Sequence, residues 1–201
     1  GLYSVNARKG GNVSPIPADH SQNLTGIWPK KVVNYKTVMS DAASGFTSVT
    51  YPFPVIRMAD LYLMYAEALN EKGEDYATVL PWIDMVRERS GLQGVKESWD
   101  QYVGNSKYAT QTGLRQIIMQ ERRIELAFEG HYFWDVRRWK TATTELTQPL
   151  TGWKVRYGET DVDYYSENLV LVRDFTPKMY FWPIDIGELR KDPNLVQNYG
   201  W

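Results

Sequence analysis

Apolar residues recur at helical spacing in the middle of the chain and hardly at all toward its ends. Pro52 and Pro54 block helix ahead of Val55. From Ile56 to Lys72 the set Ile56, Ala59, Leu61, Tyr62, Leu63, Tyr65, Ala66 and Leu69 predicts a helix with a broad buried face, stopped by Gly73. A second helix is predicted from Tyr76 to Ser90, with Val79, Ile83 and Val86 on one stripe, Pro81 in its first turn and Gly91 as its stop. So short a connection predicts an antiparallel helical hairpin. After a polar loop over 91–112, a third helix is expected from Thr112 to Glu129, with Leu114, Ile117, Ile118, Ile124 and Phe128 inward. A fourth is expected from His131 to Thr141.

The flanks read differently. Residues 1–51 are rich in Gly, Ser, Pro and Asn and predict loops with up to two short strands, one at 31–35, as in a remnant of a larger N-terminal region. Beyond residue 142, Trp153–Tyr157 and Leu169–Arg173 read as strands separated by turn chemistry, and the tail is extended and then briefly helical. The expected fold is mainly α: tetratricopeptide-like helical hairpins with irregular and short β segments at both ends, and 52–201 as the helical domain. The tetratricopeptide expectation rests on architecture, since the repeat signature and its period of about 34 residues are absent.

Composition removes several classes of function. A net charge of −1 gives no field to recruit nucleic acid or an acidic membrane. No cysteine means no disulfide, thiol nucleophile or cysteine-based metal centre, and no apolar run approaches the roughly 20 residues of a membrane span. Gly-x-Ser-x-Gly, phosphate-loop and His-Glu-x-x-His motifs are all missing. The unusual quantity is the aromatic load, 8 Trp, 14 Tyr and 6 Phe, which suits cores and sugar faces alike.

The densest chemistry lies between Gln120 and Trp139, where nine of twenty residues are Glu, Asp, Arg or His and five are aromatic. Glu121, Glu125 and Glu129 share one helix face. The two histidines, His20 and His131, do not follow a Glu at the spacing a di-metal bundle uses, so the metal reading falls away and no cofactor is expected. Arginine forks match carboxylates, and the segment instead predicts a structural ion-pair network of Glu121, Arg122, Glu125, Glu129, Asp135 and Arg138, with Glu125 meeting Arg57 or Arg87. Asp161, Asp163 and Glu167 read as a solvated loop, with a calcium site of oxygen ligands as the alternative.

Three blocks carry a resemblance to one family, in that family's order. They are Ile56-Arg57-Met58-Ala59-Asp60-Leu61-Tyr62-Leu63-Met64-Tyr65-Ala66-Glu67-Ala68-Leu69-Asn70-Glu71 with Val86–Leu92 behind it, the Gln120–Trp139 block, and Trp182-Pro183-Ile184 through Gly200-Trp201. Together they resemble the C-terminal region of the SusD/RagB outer-membrane nutrient-binding lipoproteins. The family's chains tend to close on a Gln-Asn-x-Gly-aromatic motif. The resemblance therefore implies that Trp201 lies at or near a natural C-terminus, with an N-terminal half, export signal and lipid-bearing cysteine outside these residues.

The resemblance further implies non-catalytic binding of oligosaccharide or another polymeric nutrient at the cell surface. The ligand would pass to a TonB-dependent, SusC-like transporter, with membrane attachment only through a lipid anchor. Ligand contacts are expected from loop aromatics and polar neighbours: Trp28, Asn34, Trp99, Tyr102, Tyr108, Trp153, Tyr157, Tyr164 and Tyr165. Two alternatives are a helical-repeat adaptor binding only protein through a groove of Leu61, Tyr65 and Trp82, and a glycan-processing enzyme, which needs two carboxylates facing across a cleft.

Overall fold

A computed structural model describes residues 25–27, 29, 31, 33–39, 46–155 and 158–201. In chain order the elements are β1 (Val38–Met39), β2 (Phe46–Thr47), α1 (Met58–Lys72), α2 (Tyr76–Arg89), α3 (Val95–Ser98), a π-helical turn (Trp99–Val103), a 3-10 turn (Lys107–Ala109) and α4 (Gln111–Glu125). Then follow α5 (His131–Arg138), α6 (Ala142–Glu145), β3 (Leu150–Trp153), α7 (Asp161–Tyr164), β4 (Glu167–Leu171), a 3-10 turn (Pro177–Tyr180) and α8 (Ile186–Lys191). The fold is mainly α. The strands form two antiparallel pairs, β1 with β2 and β3 with β4. The described residues divide into two compact units, Lys31–Trp134, and Asp135–Trp201 with those that precede Lys31.

In the first unit α1 and α2 form the hairpin and α4 packs against both. Gly73, at φ 91°, lets the backbone N–H groups of Gly73 and Glu74 return to the carbonyls of Asn70 and Leu69. Asp75 then caps α2 by accepting from the Thr78 N–H at 2.8 Å. The core between the helices is Leu63, Ala66, Val79, Ile83, Val86, Leu114 and Ile118, all buried, with Val95 and Tyr108 from the segment before α4. Asn70 is buried too. It donates to the Gln111 carbonyl at 3.1 Å while Gln111 donates back to the Asn70 carbonyl at 2.7 Å, tying the end of α1 to the start of α4. α4 begins at Thr110, whose hydroxyl accepts from Gly113 N–H. Gly113 is buried so closely that a Cβ there would stand 2.1 Å from the Lys107 carbonyl oxygen.

In the second unit β3 pairs with β4, Trp153 opposite Glu167, with a bulge between Leu150 and Thr151. Val136, Ala142 and Phe175 make a small core with Leu146, Met179 and Tyr180.

Several expectations are corrected. Among the described residues of 31–35, residues 31 and 33–35 are not strand. Asn34 closes a turn, its carbonyl accepting from Thr37 N–H and its side chain from Lys36 N–H. Pro81 sits in the second turn of α2, not the first. The bond it forgoes would have reached the Ala77 carbonyl, and both residues are exposed where water can take that acceptor. The loop over 91–112 contains α3 and two further helical turns, and the second β pair is offset to 150–153 and 167–171. α4 ends at Glu125, and Ile124 and Phe128 are 62% and 64% exposed rather than inward. Phe128 adopts φ 65° and Gly130 φ 84°, so the chain leaves helical phase and Leu126 is buried instead. α5 ends at Arg138, two residues before Lys140 at φ 58°.

Candidate functional site

The second unit brings Trp153, Tyr164 and Tyr165 together. Trp153 ends β3, and α7, capped by Thr160 accepting from Asp163 N–H, delivers Tyr164 and then Tyr165. Tyr165 stands edge-on to Trp153 at 5.6 Å between ring centroids and edge-on to Tyr164 at 5.0 Å. Tyr164 is buried against Val155 and acts as support, whereas Trp153 is 37% and Tyr165 62% exposed.

Glycines make this convergence possible. Gly158 lies where a Cβ would meet the Tyr164 backbone at 2.5 Å, and Gly152 where one would meet Thr25 Cα at 2.7 Å. Trp153 N–H donates to the Thr25 carbonyl, and a Cβ at Gly26 (φ +77°) would lie 2.7 Å from the Tyr164 hydroxyl. Burial, with a smaller contribution from Tyr165, pushes the Tyr164 phenol above its ordinary value, so it keeps its proton and can donate. Lys154 and Asp163 face each other at 3.6 Å beside the rings. The result is an exposed aromatic face rimmed by polar groups, which is what a sugar's C–H face and hydroxyls require.

The other candidate residues are dispersed. Trp28 and Tyr157 lie outside the described residues. Asn34 is engaged in its turn. Tyr102 is 72% exposed on the π-helical turn. Tyr108 is core, its hydroxyl donating to Asp100 at 2.8 Å. Trp99 is half-buried and forms one wall of a cavity of about 390 Å³ with Lys107, Gln116, Gln120, Glu121 and Arg123. Lys107, Gln116, Gln120 and Arg123 were missed in the sequence, where Glu121 stood out only as an ion-pair partner. The signal was their spacing, since 116, 120 and 123 fall on one helical face. Of the adaptor groove, Trp82 packs edge-on to Tyr65 at 4.6 Å, and Leu61 is partly exposed.

The charges of the Gln120–Trp139 block are matched locally. Arg57 Nη1 donates to Glu125 at 2.8 Å, while its Nε and Nη2 donate to the two oxygens of Glu129 at 2.8 and 2.7 Å. Lys31 pairs with Glu129, Arg89 with Glu125 and Arg87 with Glu121. Arg122 meets Asp60 at 2.9 Å in the helical core, and Arg138 meets Asp135 at 2.8 Å in the other unit. Apart from Arg138 with Asp135 on α5, these are tethers between segments far apart in sequence. Among the described residues no group of three or more His, Asp or Glu is placed to hold a metal ion.

Burial would raise the Glu129 carboxyl, but the hydrogen bonds from Arg57 and Lys31 outweigh it and hold the group below its ordinary 4.5. Glu71, bonded to Arg115, is lowered likewise. A lowered folded-state value contributes stability that is present above 4.5 and lost as pH falls through the folded value. Asp84, raised by burial, works the other way. The melting temperature should therefore hold down to about pH 5 and then drop. Glu129→Gln should flatten part of that drop, and an identical acid profile in the variant would count against the assignment.

The model of the SusD family matches residues 8–201. The SusD-like proteins P2 and P25 of Formosa agariphila are 37% and 39% identical over 69% and 72% of this chain, which spans 27% and 23% of their lengths. A SusD-like carbohydrate-binding protein from Bacteroides fragilis is 32% identical over 71% of the chain and 28% of its own length, with a TM-score of 0.56. The selenomethionine form of BT4246 is 25% identical and covers 97% of the chain and 32% of its own length, with a TM-score of 0.81. The chain thus spans about a quarter of the curated relatives it matches. The shared helical architecture and the match across almost every residue make this chain a member of the SusD family.

Proposed function

We propose that this chain serves in non-catalytic capture of oligosaccharide, or another polymeric nutrient, at the surface of the outer membrane. The protein it serves would be lipid-anchored and would pass its ligand to a TonB-dependent, SusC-like transporter. Family membership supports this reading, as does the Bacteroides fragilis relative described as carbohydrate-binding. In the same reading, 52–201 is the C-terminal helical region of such a protein and 1–51 the end of the region before it.

The observation that carries the proposal is the Trp153–Tyr165 platform. Two large aromatics are held exposed by a turn, a bulged strand pair and three close-packed glycines, although burial would have been the cheaper use of their area. The carboxylates of the Gln120–Trp139 block are committed to cations rather than opposed across a cleft. The test is an immobilised panel of neutral and acidic oligosaccharides. Trp153→Ala should weaken binding of the retained sugars about tenfold or more, as expected for loss of a stacking face. Silence across the panel, binding indifferent to Trp153→Ala, or release of reducing ends would each overturn the reading.

A further inference from the structure

The charges around the Trp153–Tyr165 platform have a fixed arrangement. Trp153 pairs with Glu167 across β3 and β4. Residues directly opposite in an antiparallel pair have Cβ atoms about 4.5–5.5 Å apart and side chains on the same face. The exposed Glu167 carboxylate therefore stands on the face of the strand pair that presents the indole. A second carboxylate comes from Asp163 on α7, the helix that delivers Tyr164 and Tyr165. Its Oδ2 accepts from the Glu159 N–H at 3.3 Å, and its Oδ1 meets the Lys154 ammonium at 3.6 Å. Lys154 is held by its own backbone, whose N–H donates to the Tyr164 carbonyl at 3.1 Å and whose carbonyl accepts from the Gly158 N–H at 2.9 Å. The same backbone contacts thus fix the rings and the charges beside them.

The charge balance decides between ligands. Asp163 and Lys154 offset one another, and Glu167 is left as an exposed negative charge beside Trp153. The two rings meet at 80° and form a corner for a sugar ring. A neutral sugar lays its C–H face on an aromatic ring and donates its hydroxyl hydrogens to carboxylate oxygens, the stronger, charge-assisted kind of hydrogen bond. The Lys154 ammonium can donate in turn to a hydroxyl or ring oxygen. An acidic sugar of the same shape gains the same stacking but meets like charge at Glu167, while Lys154 is already engaged by Asp163.

We propose that Glu167 and the Lys154–Asp163 pair make the Trp153–Tyr165 platform selective for uncharged sugar residues and against acidic ones. This rests on the saccharide-capture reading above and adds to it the class of sugar and the residues that choose it.

The experiment is titration calorimetry of the full 201-residue chain with two matched pairs of trisaccharides. One pair is α-1,4-linked galactotriose and trigalacturonate, the other β-1,4-linked mannotriose and trimannuronate. Within each pair only the C6 group differs, hydroxymethyl against carboxylate. The neutral member of at least one pair should bind at least about fivefold more tightly than its acidic counterpart, and the gap should narrow as salt screens the repulsion. Glu167→Gln keeps the hydrogen-bonding shape and removes the charge, so it should bring the two members to within about twofold. Glu167→Gln combined with Asp163→Asn leaves Lys154 without its Asp163 counter-charge, and the acidic member should then bind the tighter. Trp153→Ala should weaken both members. If the double variant loses its thermal transition, Glu167→Gln alone decides. Equal affinities within each pair, an acidic preference in the parent, or discrimination unchanged by Glu167→Gln overturns the proposal, as does a parent that binds none of the four. Binding that needs Trp153 but shows no discrimination leaves the saccharide reading standing and removes only the charge assignment, whereas silence across the wider panel removes both.

Discussion

Asp60→Ala should destabilise the helical unit by about 3–5 kcal/mol, because it removes one partner of a buried ion pair. Asp60 on α1 is 7% exposed and Arg122 on α4 is 3% exposed, with Nη1 donating to Oδ1 at 2.9 Å. Alanine leaves the guanidinium in the same low-dielectric setting without its Asp60 partner, and the desolvation already incurred is no longer balanced. The pair itself need not be a large net gain, since well-packed apolar residues of similar volume often do as well. Asp60→Leu combined with Arg122→Met should therefore recover much of the loss. Denaturant unfolding of the two variants distinguishes the cases, and a double variant as weak as Asp60→Ala would refute the argument.

Leu63→Ala should cost about 3–5 kcal/mol through lost transfer energy and a cavity that close-packed neighbours cannot refill. Leu63 is fully buried where α1 meets α2 and α4. Leu61, two positions away, is 42% exposed, and Leu61→Ala should stay within about 1 kcal/mol. The comparison holds chemistry and helix propensity constant and changes only which face is cut. Equal midpoints in chemical unfolding, at unchanged m-value, would mean that the buried face of α1 is misassigned.

What the sequence made legible follows from which forces are local. α1 and α2 could be read from Leu63, Ala66, Val79 and Ile83 because periodicity and the Gly73 stop act within a few residues of each other. The end of α4 could not. Ile124 and Phe128 continue the apolar spacing, yet the helix stops at Glu125, and Arg57, more than sixty residues earlier, holds both Glu125 and Glu129. Phe128 at φ 65° carries a conformational cost of order 1–3 kcal/mol that no local signal predicts. The platform shows the same division. Trp153, Tyr164 and Tyr165 stood out as aromatics outside helices, but their meeting depends on the register that sets Trp153 opposite Glu167 and on close approach at Gly152 and Gly158. The Trp99 cavity needed the packing of a loop onto α4, which spacing along either segment alone does not reveal.

Gly113 lines no part of the Trp99 cavity, yet it acts as a spacer of zero thickness behind it. The Lys107 carbonyl rests where any β-carbon at 113 would be, so the depth to which Lys107 is drawn toward α4 is fixed by a missing methyl group. Bulk added at 113 would displace Lys107 and so reshape the wall it forms, leaving every other residue that lines the cavity as it is.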